Sequence, residues 1–238
     1  MRKIIIWISL LACSLGCAAG AFSVTPVRLF FSPKDKAVAM TLINDSDDEV
    51  ALQADVYQWT QDALGHDKLE PTEDLIVSPP SLRLAPHSKQ VIRLGLLVPR
   101  DKSRQMTYRL LVREIPEAEK RKDAILQLPI ALALNMPIFI TPTGAIGKLA
   151  CDWQAGNLGN PSVTCLNTGT AYAQVRTAEL RRDGHVLAKT ASSTYILPGA
   201  RSSLKLQETA SPSIEPGMAV FTLVYDDFKT DTKTIDIH

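Results

Sequence analysis

The side chains that most often carry out catalysis or bind metal ions are scarce in this sequence. It has 238 residues, of which only four are histidine and four are cysteine. No histidine lies at a ligand spacing from a cysteine, as a structural zinc site requires. The sequence also lacks a glycine-rich phosphate loop, a G-x-S-x-G elbow and an H-E-x-x-H motif. We therefore expect no catalytic residue, no metal and no cofactor, and we expect that the protein is not an enzyme. The four histidines are His66, His87, His185 and His238.

Residues 1–21 have the features of a cleaved secretion signal. Arg2 and Lys3 give a positively charged start, and an apolar run with a single serine follows over residues 4–11. This run is too short to span a bilayer. Residues 19–21 (AGA) form a small-residue cleavage site. We therefore expect that Phe22 begins the mature, exported protein and that the protein does not insert into the membrane.

The four cysteines form two pairs, one within the predicted signal and one in the mature chain. Cys13 and Cys17 lie within the signal, and lipidation at either one is the alternative to cleavage after Ala21, although the residues before Cys17 fit a lipidation signal poorly. Cys151 and Cys165 remain after cleavage, and such a close pair in an exported protein favours a disulfide. Two free buried thiols are the alternative. We assign the pair to structure and not to redox chemistry, because it lacks the C-x-x-C spacing.

After the signal, the sequence is typical of short β-strands throughout. In the segment 50–59, the residues Val50, Leu52, Ala54 and Val56 alternate with other residues, as on one face of a strand. We predict one opening strand over residues 24–31 and a loop over the polar segment 61–74. Short strands separated by turn residues at roughly regular spacing are the pattern of a β-sandwich.

The length of the mature chain fits two such sandwiches of about 100–120 residues each. Residues 141–147 look like a linker between them. We therefore predict an all-β protein with a signal peptide at 1–21, a first domain at 22–142 and a second domain at 143–238.

The most informative segment is 124–142, AILQLPIALALNMPIFITP, which alternates over an unusually long stretch. In an extended strand, every second side chain lies on the same face. Two prolines inside a helix would each cost about 3 kcal/mol, and proline also disfavours a central strand. We therefore predict a long edge strand that presents large apolar side chains on one face: Leu126, Leu128, Ile130, Leu132, Leu134 and Met136.

Several short motifs occur in an order that resembles the periplasmic pilus-assembly chaperones, the PapD-like family. In the first domain these are VTPVR at 24–28, LIVSPP at 75–80, LRLAP at 82–86 and REIP at 113–116. In the second domain they are NTGTAY at 167–172 and ILPG at 196–199. The resemblance covers the mature chain and is stronger in the first domain.

The resemblance implies two immunoglobulin-like β-sandwiches in an L-shaped arrangement and a chaperone that works in the periplasm. The expected partners are pilus subunits, which are incomplete immunoglobulin-like proteins, and an outer-membrane usher. The segment 126–134 occupies the position of the family's donor strand, which binds the subunit. Arg28 matches the arginine that binds the subunit's terminal carboxylate, and an ion pair with an acid of its own domain is the alternative role.

The sequence departs from the better-known branch of this family at two positions. Pro137 stands where that branch has a lysine that joins the arginine, and Thr141 stands where it has an arginine of an interdomain charge network. The sequence therefore looks closer to the archaic-type members. Arg109, on the preceding strand, is a candidate for the second positive charge, with a solvent-facing arginine as the alternative. Asp226 and Asp227 either face the cleft between the domains or are acids of a surface turn.

Composition excludes some other classes of function. Lysine and arginine together number 26 and aspartate and glutamate 25, so nothing points to nucleic acid as a partner. The alternative to a chaperone is an exported immunoglobulin-like protein with an interaction or adhesive role. A pilus subunit itself is expected to be a single incomplete domain, whereas this chain has length for two.

Overall fold

The computed structural model describes residues 22–116, 131–154, 162–209 and 215–237. All regular structure in these ranges is β, and none of it is a helix that could cross a membrane. The predicted signal peptide at 1–21 lies outside the described residues. The expected all-β architecture with two sandwiches is confirmed.

The first sandwich consists of two facing sheets. One sheet has the strand order β1-β3-β8-β6, and the other has the order β2-β10-β9-β4-β5, with β7 paired to β4. The strands are β1 (Phe22–Thr25), β2 (Leu29–Phe31), β3 (Ala37–Asn44), β4 (Val50–Gln61), β5 (Asp67–Pro71), β6 (Leu75–Ser78), β7 (Ser81–Leu84), β8 (Lys89–Leu96), β9 (Met106–Glu114) and β10 (Ala133–Ile140).

Alternation along β4 builds one wall of the first core. Val50, Leu52, Ala54 and Val56 are all buried in it, as the sequence predicted. Beyond Val56 the buried position changes face, because Trp59 is fully buried among residues of the second sandwich and not in the first core. The outer face of β4 is therefore covered by the second sandwich near the end of the strand.

Two local predictions were wrong. The opening segment is two strands in different sheets, since β1 pairs with β3 whereas β2 pairs with β10. The segment 61–74 is not only loop, because β5 pairs with the end of β4. Every residue of β5 is exposed. An edge strand with no buried face needs no apolar alternation, so its sequence gives no strand signal.

The second sandwich is built from a single sheet that folds over itself. Its strand order is β11-β12-β16-β14-β13-β17-β18, with β15 paired to β13. Both halves of the sheet contribute to one core, which includes Val163 and Leu204 from one half and Leu180 and Phe221 from the other. The strands are β11 (Leu149–Gln154), β12 (Ser162–Asn167), β13 (Ala173–Arg182), β14 (His185–Thr190), β15 (Thr194–Ile196), β16 (Arg201–Glu208), β17 (Gly217–Tyr225) and β18 (Thr230–Ile237).

A buried amide ties together the segments of the second sandwich that face the first. The Nδ2 atom of Asn167 donates to the carbonyl oxygens of Ala171 at 2.9 Å and Ile196 at 2.8 Å. Asn167 is fully buried, so these hydrogen bonds are shielded from water. They hold the strand ends next to Tyr172 and Tyr195 in fixed positions.

Candidate functional site

β10 has one fully paired edge and one partly open edge. On one side it pairs with β9 from Ala133 to Ile140. On the other side β2 pairs only with Ile138–Ile140. No described strand lies beside residues 133–137 on that second side. Among the described strands, none pairs with the backbone groups that point outward there, and such an unpaired edge is a template for a further strand.

The large side chains of this segment contact the first core. Met136 is buried in it, whereas Leu132 and Leu134 are only partly buried and pack against it. Because these two side chains keep exposed surface beside the open edge, they can contact a strand that is added there. The other predicted donor-strand residues lie outside the described residues; they are Leu126, Leu128 and Ile130.

Arg28 lies at the point where the open edge of β10 ends. Leu29 pairs with Ile138, so Arg28 is level with Pro137. Leu29 and its next-but-one neighbour Phe31 are buried in the first core. Since side chains alternate along a strand, Arg28 projects from the opposite face, toward the second sandwich.

The partners of Arg28 come from the second sandwich. Its Nη1 atom donates to Gln174 Oε1 at 3.1 Å and lies 3.4 Å from Asp226 Oδ2. The acid is therefore not from its own domain. The side chain of Arg28 is 30% exposed, so a ligand can still reach it from solvent.

Asp226 and Asp227, which are adjacent in the sequence, differ in environment. Asp226 faces the cleft, where it also accepts a hydrogen bond of 3.1 Å from the Tyr172 hydroxyl. Burial and the adjacent Asp226 carboxylate raise the pKa of Tyr172 to about 12, because both disfavour the phenolate. Asp227 instead pairs with Lys229 at 2.6 Å on the exposed turn.

Arg109 lies on the same face as Arg28, on the other side of Pro137. It pairs with Pro137 across β9 and β10, so the three residues form one row across the sheet. Its guanidinium carbon lies 3.6 Å from the Trp59 ring centroid, and its Nη2 atom lies 3.6 Å from Asp67 Oδ2. Burial lowers the pKa of Arg109, opposed by the Asp67 charge. With 13% of its side chain exposed, Arg109 is far more enclosed than Arg28.

An aromatic cluster joins the two sandwiches beside this row, and the sequence interpretation missed it. The Phe139 ring stacks on Tyr172 with centroids 4.1 Å apart, and Trp59 meets Tyr195 edge-on at 5.5 Å. Phe139 is fully buried although Ile138 and Ile140 point into the first core. The sequence signal that could have revealed the cluster is the run of three apolar residues at 138–140, because such a run indicates a strand that is buried on both faces.

The arrangement is an open strand edge with a positively charged residue at its end. Comparison with known proteins identifies the family of the chain. A family model described as the pili and flagellar-assembly chaperone, PapD N-terminal domain, matches residues 21–145, which is more than half of the chain. The chain belongs to this chaperone family. The chaperone protein LpfB of Salmonella typhimurium is 28% identical over 185 residues, covering 72% of this chain and 75% of that protein.

Solved chaperone structures share the fold. One is the complex of CsuC with the tip adhesion subunit CsuE from the archaic Csu pili of Acinetobacter baumannii, with a TM-score of 0.66 and 19% identity, covering 91% of this chain and 98% of that chain. Another is the CupB2 chaperone of Pseudomonas aeruginosa, with a TM-score of 0.59 and 19% identity, covering 91% of this chain and 100% of that chain. The expected family and the expected pair of immunoglobulin-like sandwiches are thus confirmed. The family is one of pilus-assembly chaperones and is not an enzyme class.

The second sandwich of this chaperone carries the expected disulfide. Cys151 and Cys165 are directly opposite each other on β11 and β12 and are bonded, with their Cα atoms 4.0 Å apart. Cys165 is fully buried. The bond joins β11, the outermost strand of its sheet, to the rest of the sandwich. Within the described ranges, no group of three or more histidine, cysteine or acidic side chains is placed to hold a metal ion.

Proposed function

We propose that this chaperone binds a pilus subunit that lacks one strand, by pairing the open edge of β10 with the subunit. The observation that carries the proposal is the edge over residues 133–137, which β2 leaves unpaired. A subunit without its last strand exposes backbone donors and acceptors and an apolar groove, and it aggregates if it is left open. Adding the strand of the chaperone satisfies the unpaired backbone groups of the subunit and those of the open edge of β10 at once.

The apolar face of the segment supplies the side-chain part of the interaction. Leu126, Leu128, Ile130, Leu132 and Leu134 fill successive pockets of the subunit's groove. Each fully buried aliphatic side chain contributes about 1.5–3 kcal/mol before the costs of association. Leu132 and Leu134 already rest partly on the chaperone's own core. They therefore join the core of the chaperone to that of the subunit.

The position of Arg28 sets the direction of the subunit's strand. Arg28 lies beside Pro137, at the end of the open edge that is further along β10. A subunit strand whose terminal carboxylate meets Arg28 must therefore run parallel to β10. The contact also fixes register, which matters because a slip of one residue turns every side chain to the other face.

Arg109 supports the anchor from across the row. It is two strands from Arg28, or about 10 Å at the usual strand spacing. Because its guanidinium is packed on Trp59 and paired with Asp67, it supplies positive charge without direct contact. It takes over part of the role that a lysine at position 137 has in the better-known branch.

The cellular setting follows from the family. We propose that the signal peptide at 1–21 directs the chaperone to the periplasm, where it delivers subunits to an outer-membrane usher. The domain at 22–142 holds the donor strand and Arg28, and the domain at 143–238 closes the cleft. This is supported by relatives of the same fold that were solved with clients: CsuC with the tip subunit CsuE, and SafB with the SafA pilin.

The test is co-purification of the tagged chaperone from periplasm with the secreted subunits encoded beside it. We expect the wild type to retain one small β-rich subunit at a one-to-one ratio and an Ile130→Asp variant to lose it. An Ala133→Asp variant is the matched control, since it places the same charge on the opposite, exposed face. If both variants retain the subunit, strand donation is wrong and a general exported interaction module is the better interpretation. If Ile130→Asp unfolds, the apolar face serves the chaperone's own core.

A further inference from the structure

Two glutamines of the first sandwich bind backbone groups of the second. Gln61, the last residue of β4, donates from Nε2 to the carbonyl oxygen of Tyr195 at 2.9 Å. Its Oε1 accepts from the amide nitrogen of Leu197 at 2.8 Å. One residue of a parallel strand would form the same two bonds, to a carbonyl and to the amide two residues later. The side-chain amide of Gln61 therefore extends the edge of β15.

Gln105 repeats the arrangement on a second segment. Its own amide nitrogen donates to Thr170 O at 2.9 Å, and its Oε1 accepts from Tyr172 N at 2.9 Å. Its Nε2 donates to Thr141 Oγ1 at 2.6 Å. Gln105 is only 6% exposed, and a buried amide that loses such partners is costly. Its Oε1 is therefore committed to the joint between the sandwiches, while its Nε2 is held by Thr141 at the end of the first domain.

Each glutamine fixes the backbone of a tyrosine whose ring packs on the first sandwich. Gln61 binds Tyr195, which meets Trp59, and Gln105 binds Tyr172, which stacks on Phe139. The Tyr172 hydroxyl in turn donates to Asp226, the acid that pairs with Arg28. The chain of contacts leads from the glutamines to Arg28.

Charged side chains also cross between the sandwiches, since Arg28 pairs with Asp226 and Arg104 donates to the carbonyl oxygen of Pro198. We propose that Gln61 and Gln105 are positioning residues that form the uncharged part of this joint, and that this part fixes the second sandwich over β10 and so holds Arg28 in place. Where the better-known branch has an arginine in an interdomain charge network, Thr141 here makes a neutral hydrogen bond to Gln105. Neutral hydrogen bonds are little affected by salt, whereas exposed ion pairs are screened. The link to Arg28 rests on the proposed function, but the joint itself does not.

The joint is tested in the free, full-length mature chaperone. Spin labels at Ser81→Cys and Lys205→Cys, on exposed positions of the two sandwiches, report the distance between them by double electron–electron resonance. We expect one narrow distance that is unchanged in 1 M NaCl, where the screening length falls to about 3 Å. The double variant Gln61→Met/Gln105→Met should lose this single narrow distance. A Gln53→Met variant is the control, because Gln53 is on β4 but bonds to Asp55 of the same strand.

Two results would overturn the joint: a narrow distance that persists in the double variant, or a wild-type distance that broadens in 1 M NaCl. If the double variant does not fold, Gln61→Met alone is measured against the same two criteria.

The positioning role has a separate readout, a double-mutant cycle with Arg28. The probe is the subunit isolated by the co-purification. We expect the glutamine double variant to weaken capture about tenfold when Arg28 is present, and less than about twofold in an Arg28→Met background. Equal weakening in both backgrounds would show that the joint does not act through Arg28. Loss of the narrow distance with unchanged capture would keep the joint and remove its role in positioning.

Discussion

Replacement of Arg28 by methionine is the sharpest test of the carboxylate anchor. Methionine keeps most of the aliphatic length and removes the charge and all donors. A hydrogen bond to a charged group contributes about 1.5–3 kcal/mol, which corresponds to a loss of roughly 10- to 150-fold in affinity for the subunit. The low end is favoured here because the Arg28 side chain is 30% exposed.

Stability should change much less than affinity. The pair that Arg28 forms with Asp226 has a separation of 3.4 Å, and both side chains are partly exposed. Such pairs contribute about 0–1 kcal/mol. Asp226 also remains hydrogen-bonded to the Tyr172 hydroxyl in the variant. We therefore expect an unfolding free energy, measured in urea, within about 1 kcal/mol of the wild type.

Arg113→Met is the matched control for capture. Arg113 is on the same face of β9 as Arg109, but its side chain is 44% exposed and it pairs at 2.9 Å with Asp55 of the first sandwich. Capture is measured by titrating the refolding subunit with each chaperone. A subunit with an amidated C-terminus, which lacks the carboxylate, should bind the wild type and Arg28→Met equally. The anchor would be refuted if Arg28→Met and Arg113→Met lost the same affinity for the subunit. It would also be refuted if Arg28→Met still bound the amidated subunit more weakly than the wild type does.

Three further predictions concern other parts of the molecule. Replacing Cys151 and Cys165 by serine should lower the unfolding free energy of the second sandwich by about 3 kcal/mol, the chain-entropy value for a loop of this size, as measured by urea unfolding. Because the pKa of Tyr172 is raised to about 12 from 10, its stabilising contribution is complete below pH 10 and is lost as pH rises toward 12. The difference between the absorbance spectra of the wild type and a Tyr172→Phe variant should therefore show the tyrosinate band only near pH 12. Finally, Arg109→Met should weaken capture less than Arg28→Met does, and equal effects would place direct contact at Arg109.

The strands with one buried face could be predicted from the sequence. Val50, Leu52, Ala54 and Val56 alternate because each second side chain must enter the first core, and the structure buries all of them. β5 could not be predicted, because all of its residues are exposed. Backbone bonds to β4 and the pair of Asp67 with Arg109 hold it, and neither leaves an apolar alternation in the sequence. The split of the opening segment into β1 and β2 could not be predicted for a different reason. Both pieces are strands, and which sheet each one joins depends on partners that are distant in the sequence.

The site could be predicted in part. A family motif singles out Arg28, whose role as the carboxylate anchor stays a prediction. The cleft position of Asp226, one of the two positions that the sequence allows, is the one in the structure. The joint was not found, since Gln61 and Leu197 are separated by 136 positions and each is unremarkable in its own segment. Hydrogen bonds between a side-chain amide and a distant backbone leave no periodic pattern. Only the fold brings such groups together.

The absence of a lysine at position 137 has a physical explanation in the row across the sheet. Pro137 lies directly between Arg28 and Arg109 on neighbouring strands, with each strand about 5 Å from the next. A lysine there would place three positive charges side by side, and like charges directly opposite in a sheet are destabilising. With Pro137 in the middle, one arginine stays accessible and the other is enclosed by Trp59 and Asp67. The chain therefore keeps two positive charges in the cleft, and the second one lies two strands from Arg28. If Arg28 is the anchor that we propose, the subunit's carboxylate is expected to have one direct partner and not two.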